Sequence, residues 1–129
     1  MARDEELRKV LMLAFQSEAE EILRDLRSDL GKLESTSSDR DSIDILVRVH
    51  RNCHSLKGAA KVVDLTRIQI MSQALEDLFS KWKLNKVNPN EEIFNTITKA
   101  LNVIEELVNA VYRGVTNQIS DLVNNINRF

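Results

Sequence analysis

Glycine, proline, cysteine and aromatic residues are scarce in this sequence. Its 129 residues include three Gly, one Pro and one Cys, and aromatic residues make up 5%. Disordered and collagen-like chains are rich in Gly and Pro, and disulfide-stabilised domains are rich in Cys, so these classes are excluded. Cys53 has no partner for an internal disulfide and lies among apolar helix positions, so we expect a buried free thiol, consistent with a reducing compartment.

An excess of positive charge and a long apolar run are also missing. Eighteen Lys and Arg against twenty Asp and Glu give a formal net charge of -2, which argues against a nucleic-acid partner. No apolar run approaches the roughly 18 residues of a membrane span. The opening MARDEELRK is acidic and polar, whereas a secretory signal is basic and then apolar. We therefore expect no membrane span and a cytoplasmic location.

The residues that are abundant favour a helical domain. Hydrophobic residues make up 43% and charged residues 29%, and the length suffices for one domain, residues 1–129, with its own core. Apolar residues recur every three or four positions, and no segment alternates with the period of a strand. Five helices are predicted, at 3–34, about 41–62, 66–84, 91–113 and about 116–127.

Polar clusters separate these helices. The run at 35–39 favours a turn and an N-cap, the cluster at 64–66 is a second capping candidate, and Asn88 or Asn90 can cap the fourth helix. Gly114 is placed as the C-terminal stop of that helix. Short connections make sequential helices antiparallel, which predicts an all-α, up-and-down four-helix bundle with an additional C-terminal helix.

The second helix carries an unusual polar face. At about 100° per residue, its apolar residues form one arc, and His54 lies roughly 140° from the centre of that arc. A mid-helix Gly58 costs about 1 kcal/mol relative to Ala, so close approach of another molecule explains this residue better than helix stability. The other members of this polar stripe are His50, Arg51, Lys57 and Lys61.

An exposed histidine of this kind suits nucleophilic chemistry. An unprotonated imidazole can form a covalent intermediate, and Lys57 can offset the negative charge of a transferred phosphoryl group by ~1 kcal/mol or less. An acceptor that fixes the tautomer leaves the second ring nitrogen ready to attack. In the third helix, Gln73 and Glu76 are the candidates for that acceptor.

The run HSLKGAA at 54–60, followed by Glu76, resembles the histidine-containing phosphotransfer (HPt) domains, most closely the amino-terminal domain of CheA-type chemotaxis histidine kinases. The resemblance covers about residues 5–111. It implies that His54 accepts a phosphoryl group, that Glu76 orients the ring, that Lys57 steadies the phosphate and that Gly58 leaves room for a partner.

The resemblance also implies partners. The chain lacks a glycine-rich phosphate-binding loop, so ATP and Mg would come with a histidine kinase catalytic domain, and no cofactor is bound here. The acceptor would be an Asp of a response-regulator receiver domain that docks over the second helix, at His50, Arg51 and Lys61. The isolated domain is expected to be a monomer. It would be either a free-standing carrier or the phospho-accepting domain of such a kinase, and it has no kinase catalytic motif of its own.

Three positions depart from the family pattern. Family members usually have a small residue at the position of Lys61, often Gly at that of Asp64, and chemotaxis kinases commonly have His at that of Gln73. Gln73 can still hydrogen-bond to the site histidine but cannot titrate. We interpret Lys61 as a change in partner specificity.

Two other functions compete with phosphotransfer. One is a docking module that keeps the bundle without the chemistry, although both His54 and Glu76 are present. The other is a zinc site, because His50 and His54 are spaced as two ligands on one helix. In HRNCH, however, Arg51 replaces the glutamate of the metalloprotease pattern and would oppose a cation, so no metal site is predicted.

Overall fold

The computed structural model describes residues 2–36 and 38–127, apart from the side chains of residues 2, 112, 114–123 and 125. The described residues form four helices and no strand: α1 (Ala2–Ser35), α2 (Asp39–Val62), α3 (Thr66–Lys83) and α4 (Glu91–Asn127). Each helix contacts the next along the chain, and α4 contacts α1, so the helices close into a bundle. The prediction of an all-α bundle is confirmed.

The core is formed by one apolar stripe from each helix. Each large aliphatic side chain that becomes fully buried contributes roughly 1.5–3 kcal/mol. Fully buried members include Val49, Cys53, Leu56, Ile97, Leu101, Ile104 and Val108.

The start of α1 departs from this pattern. Leu7 and Leu11 continue the apolar stripe of α1 but are 58% and 40% exposed. They lie beside Val62 and Val63, where α2 ends, so no further turn of α2 covers them.

A partly buried ion pair joins α1 to α2. The Asp29 carboxylate lies on the core side of α1 and accepts from Arg48 Nη2 at 2.9 Å and Nε at 3.3 Å. Two hydrogen bonds from one guanidinium group satisfy both carboxylate oxygens, which offsets the cost of burying the charge. This contact fixes α2 against α1 less than two turns before His54.

Two of the predicted caps are present. Ser38 precedes α2 and its hydroxyl accepts from the Asp41 N–H at 3.3 Å. Of the two asparagine candidates, Asn90 caps α4, because its Oδ1 accepts from the Ile93 N–H at 2.9 Å.

The cluster at 64–66 has a different role from the one predicted. Leu65 is the N-cap of α3 and makes no side-chain capping hydrogen bond. Asp64 instead ends α2, with φ at 58° and its N–H bonded to the Lys61 carbonyl, while the Leu65 N–H bonds to the Ala60 carbonyl. This pair of hydrogen bonds is a Schellman motif, which requires a left-handed residue at the position of Asp64.

The predicted stop at Gly114 and the separate fifth helix are wrong. A single helix, α4, extends from Glu91 to Asn127. Glycine ends a helix when it adopts a positive φ, and no glycine in the described residues does so. A glycine inside a helix costs only about 1 kcal/mol. The apolar spacing continues in phase past Gly114, which is typical of one continuous helix.

Candidate functional site

The buried side of α2 places His54 in solvent. Cys53, Leu56 and Ala60 are fully buried against the other helices. Successive helix residues are rotated by about 100°, so His54 is turned away from the side of α2 that these three residues bury. The His54 side chain is accordingly 66% exposed, about two thirds of the way along the helix.

Glu76 reaches His54 from the neighbouring helix. It follows the buried Leu75 on α3, and its own side chain is only 13% exposed, at the seam between α2 and α3. Its Oε1 lies 3.3 Å from His54 Nδ1. The two residues that were predicted to meet are therefore in contact. The carboxylate lies between the helices, and the ring lies outside them.

Lys57 lies beside the same carboxylate, one turn after His54. Its Nζ is 2.8 Å from Glu76 Oε2 and donates to Gln73 Oε1 at 2.9 Å. Glu76 Oε2 accepts no well-aligned hydrogen bond, and its negative charge is compensated by the adjacent Lys57 ammonium group. The Lys57 side chain is 22% exposed, which is more enclosed than the open surface position expected from the sequence.

Gln73 has other partners than the ring it was predicted to serve. Its Oε1 accepts from Lys57, and its Nε2 donates to Asp77 Oδ1 at 2.9 Å. Asp77 did not emerge from the sequence analysis, although its spacing of four residues from Gln73 on one helix was a usable signal. Side chains at this spacing are neighbours on a helix surface.

The Glu76 carboxyl is held in its charged form. Burial acts to raise its pKa, but the contacts with Lys57 and His54 outweigh burial, and the pKa lies below its usual value. At neutral pH the site therefore contains a carboxylate between an imidazole and an ammonium group. Cys53 lies on the buried side of α2, and burial together with the charge of Glu76 raises the pKa of its thiol to about 12.

The remaining stripe residues leave the surface of α2 on either side of His54 largely open. Arg51, Gly58 and Lys61 are exposed, and His50 is half-buried. A Cβ built on Gly58 would meet nothing within 4 Å, so packing inside the bundle does not require glycine at this position.

This arrangement can fix the imidazole for attack. When the Nδ1 proton is present it donates to Glu76 Oε1, and the Nε2 lone pair then points away from the carboxylate.

Within the described part of the chain, no group of three or more His, Cys, Asp or Glu residues could hold a metal ion.

Comparison with known proteins assigns the chain to a family. The family model of the Hpt domain matches residues 10–114, which is most of the chain. The chain belongs to the Hpt domain family.

Two curated relatives carry the name Chemotaxis protein CheA. The one from Borreliella burgdorferi is 28% identical over 121 residues, covering 92% of this chain and 14% of the relative. The one from Treponema pallidum is 29% identical over 115 residues, covering 88% of this chain and again 14% of the relative. This chain thus spans about 14% of the length of the curated relatives it matches.

A solved structure shares the fold. The CheA phosphotransferase domain from Thermotoga maritima superposes with a TM-score of 0.74 at 20% identity, covering 81% of this chain and 96% of that one.

Across residues 2–36 and 38–127, no helix is long and apolar enough to cross a membrane.

Proposed function

We propose that this domain is a phosphohistidine carrier, with His54 as the group that is phosphorylated and dephosphorylated. The observation that carries the proposal is the contact of His54 Nδ1 with Glu76 Oε1, at 3.3 Å, on a ring that is 66% exposed. One ring nitrogen is thereby engaged by the protein, and the other is open to a reactant. Membership of the Hpt domain family supports the same assignment.

The chemistry is a pair of phosphoryl transfers. The Nε2 lone pair attacks the γ-phosphorus of ATP, an N–P bond forms, and the bond to the leaving ADP oxygen breaks with its electron pair. The Nδ1 proton stays in place, so the ring becomes a cation, which the Glu76 carboxylate stabilises. In the second step a carboxylate oxygen of an Asp attacks the same phosphorus, and the N–P electron pair returns to Nε2.

Lys57 supports both steps by its charge. Its ammonium group, held by Glu76 and Gln73, lies one helical turn from His54 and can approach the oxygens of the phosphoryl group. Because such a pair near solvent contributes ~1 kcal/mol or less, Lys57 tunes the rate and does not decide it.

The partners follow from this chemistry and from the CheA relatives. A histidine kinase catalytic domain would bring ATP and Mg, and a receiver domain of a response regulator would provide the Asp. Both would dock over the exposed side of α2, around Arg51, Gly58 and Lys61, with His50 at the edge. We place this relay in the cytoplasm and the isolated domain as a monomer.

Labelling with radioactive phosphate tests the proposal. The domain is incubated with the kinase catalytic domain of a CheA-type protein, Mg and ATP labelled at the γ-phosphate. Incorporation of label is compared among the wild-type domain, His54→Gln and His50→Gln. His50→Gln is the matched control, because it removes a second histidine of the same helix one turn earlier.

We expect acid-labile, alkali-stable label on wild type and on His50→Gln, and none on His54→Gln. Equal label on wild type and His54→Gln would exclude His54 as the carrier. Absence of label from all three proteins, with kinase domains of several origins, would favour a docking module without phosphotransfer. Circular dichroism checks that His54→Gln is folded, as expected for an exposed residue.

A further inference from the structure

The amide of Gln73 lies between two groups of opposite hydrogen-bonding character. Lys57 Nζ has only donors, and the Asp77 carboxylate has only acceptors. Gln73 meets the first with its Oε1 and the second with its Nε2, each at 2.9 Å. If the amide turned by 180°, its NH2 group would face an ammonium and its oxygen would face a carboxylate, so only one orientation satisfies both partners.

We propose that Asp77 is a positioning residue for the phosphotransfer site, acting through Gln73 on Lys57. Asp77 holds the amide so that its oxygen faces Lys57, and Lys57 is thereby kept beside Glu76, where its Nζ lies 2.8 Å from Oε2. The inference rests on the proposed function of His54. It adds that a chain of contacts from Asp77 to Glu76 sets where the ammonium group of Lys57 is found.

The position of Asp77 fits an indirect role. It is exposed, and it follows Gln73 by four residues on α3, so the contact forms within one helix and needs no partner protein. Gln73 is half-buried and reaches across to α2. The pair thus links the surface of α3 to a side chain of α2 that adjoins the ring.

Three substitutions of Asp77 separate positioning from simple charge. Asp77→Asn keeps an acceptor oxygen for Gln73, Asp77→Ala removes it, and Asp77→Lys supplies a donor that turns the amide oxygen away from Lys57. Positioning predicts that the phosphorylation rate falls in the order wild type, Asn, Ala, Lys, with Asn close to wild type. A residue that acts by its charge on a docking partner would instead lose activity in Asn and Ala alike.

A second substitution should restore the rate. Gln73→Glu, added to Asp77→Lys, gives a carboxylate that accepts from both Lys57 and the introduced lysine. We expect Asp77→Lys to lower the kcat for phosphorylation by about threefold, while the KM of the kinase domain for this domain stays unchanged. The double variant should recover most of the loss in kcat. In a Lys57→Gln background, Asp77→Lys should have no further effect on kcat, because the residue through which it acts is gone.

The pKa of Glu76, followed by carbon-13 NMR of its carboxyl group, gives a readout that needs no phosphotransfer. It should rise in Asp77→Lys as Lys57 is released from Glu76. A fall in activity seen only in KM, a full effect of Asp77→Lys without Lys57, or an unchanged Glu76 pKa would overturn the inference. If wild type accepts no label, the proposed function fails, and the NMR titration still decides the role of Asp77.

Discussion

At the scale of single residues, the Glu76 carboxylate is the group that we propose orients His54. Glu76→Gln keeps the size of the side chain but removes the negative charge that would stabilise a phosphorylated, positively charged ring. We expect labelling of His54 to become about tenfold slower without being abolished, because the nucleophile itself remains. The initial rate of label incorporation at saturating kinase domain measures this effect.

Glu105→Gln provides the matched control for this substitution. Glu105 also forms an ion pair between two helices, with Arg27 at 2.8 Å, but the pair lies on the α1–α4 side of the bundle. Its removal should leave the labelling rate unchanged. Equal rates for wild type and Glu76→Gln would remove Glu76 from the role assigned to it.

Gly58 separates folding from function at the residue scale. Since a Cβ there meets no atom within 4 Å, Gly58→Ala should stabilise the domain by about 0.5–1 kcal/mol through helix propensity. If the open surface beside His54 receives a partner, the same substitution should slow phosphotransfer several-fold. Urea unfolding and label incorporation measure the two effects.

Gly31→Ala is the control for this opposite pair of effects. Gly31 is also exposed, lies inside α1, and a Cβ on it likewise meets nothing within 4 Å. It should give a similar gain in stability with no change in phosphotransfer. A Gly58→Ala protein that transfers phosphate as fast as Gly31→Ala would show that no partner approaches closely at Gly58.

At the scale of secondary-structure elements, the end of α2 is strained. Asp64 adopts a φ of 58°, which glycine tolerates better than a residue with a side chain. Asp64→Gly should therefore leave the helix end intact and stabilise the fold, by roughly 0.5 kcal/mol, because relief of strain exceeds the added freedom of the unfolded chain. The urea midpoint is the measurement.

Asp64→Ala is the informative companion to Asp64→Gly. Alanine has the Cβ of aspartate without the short polar side chain that makes the left-handed region more tolerable, so it should destabilise the domain. If Asp64→Gly proved less stable than Asp64→Ala, the left-handed end of α2 would be contradicted.

The helices themselves were largely predictable from apolar spacing. The predicted bounds of the first three helices lie within two residues of those of α1, α2 and α3. Gly114 and Asp64 show where such reasoning fails. Residue type alone does not fix the φ angle: Asp64 adopts a positive φ and ends α2, whereas Gly114 lies inside α4. At Gly114 the apolar spacing that continues in phase was the better signal.

At the scale of the whole molecule, Cys53 reports whether the bundle opens as a unit. Its side chain is fully buried, and the pKa of its thiol is raised to about 12, so almost no thiolate is present at pH 8. We expect Cys53 to resist an aromatic disulfide reagent in native buffer and to react with one equivalent in denaturing urea. Reaction in native buffer at the rate of a small free thiol would contradict the tightly packed core.

The site was only partly predictable at this scale. Helical spacing left Gln73 and Glu76 as candidates to contact His54, and only the resemblance to HPt domains singled out Glu76. The contacts of Lys57 with Glu76 and of Gln73 with Asp77 depend on side-chain rotamers at the seam of two helices, which spacing along one helix does not fix. For the same reason Asp29 and Arg48 were not predicted as a pair.

The most direct test of the central claim is to find which nitrogen of which histidine is phosphorylated. Phosphorus-31 NMR of the labelled domain, with mass spectrometry of the peptide containing residues 50–57, identifies both. Because Glu76 engages Nδ1, we predict phosphate on Nε2 of His54. Phosphate on Nδ1 of His54, or on His50, would contradict the site described here.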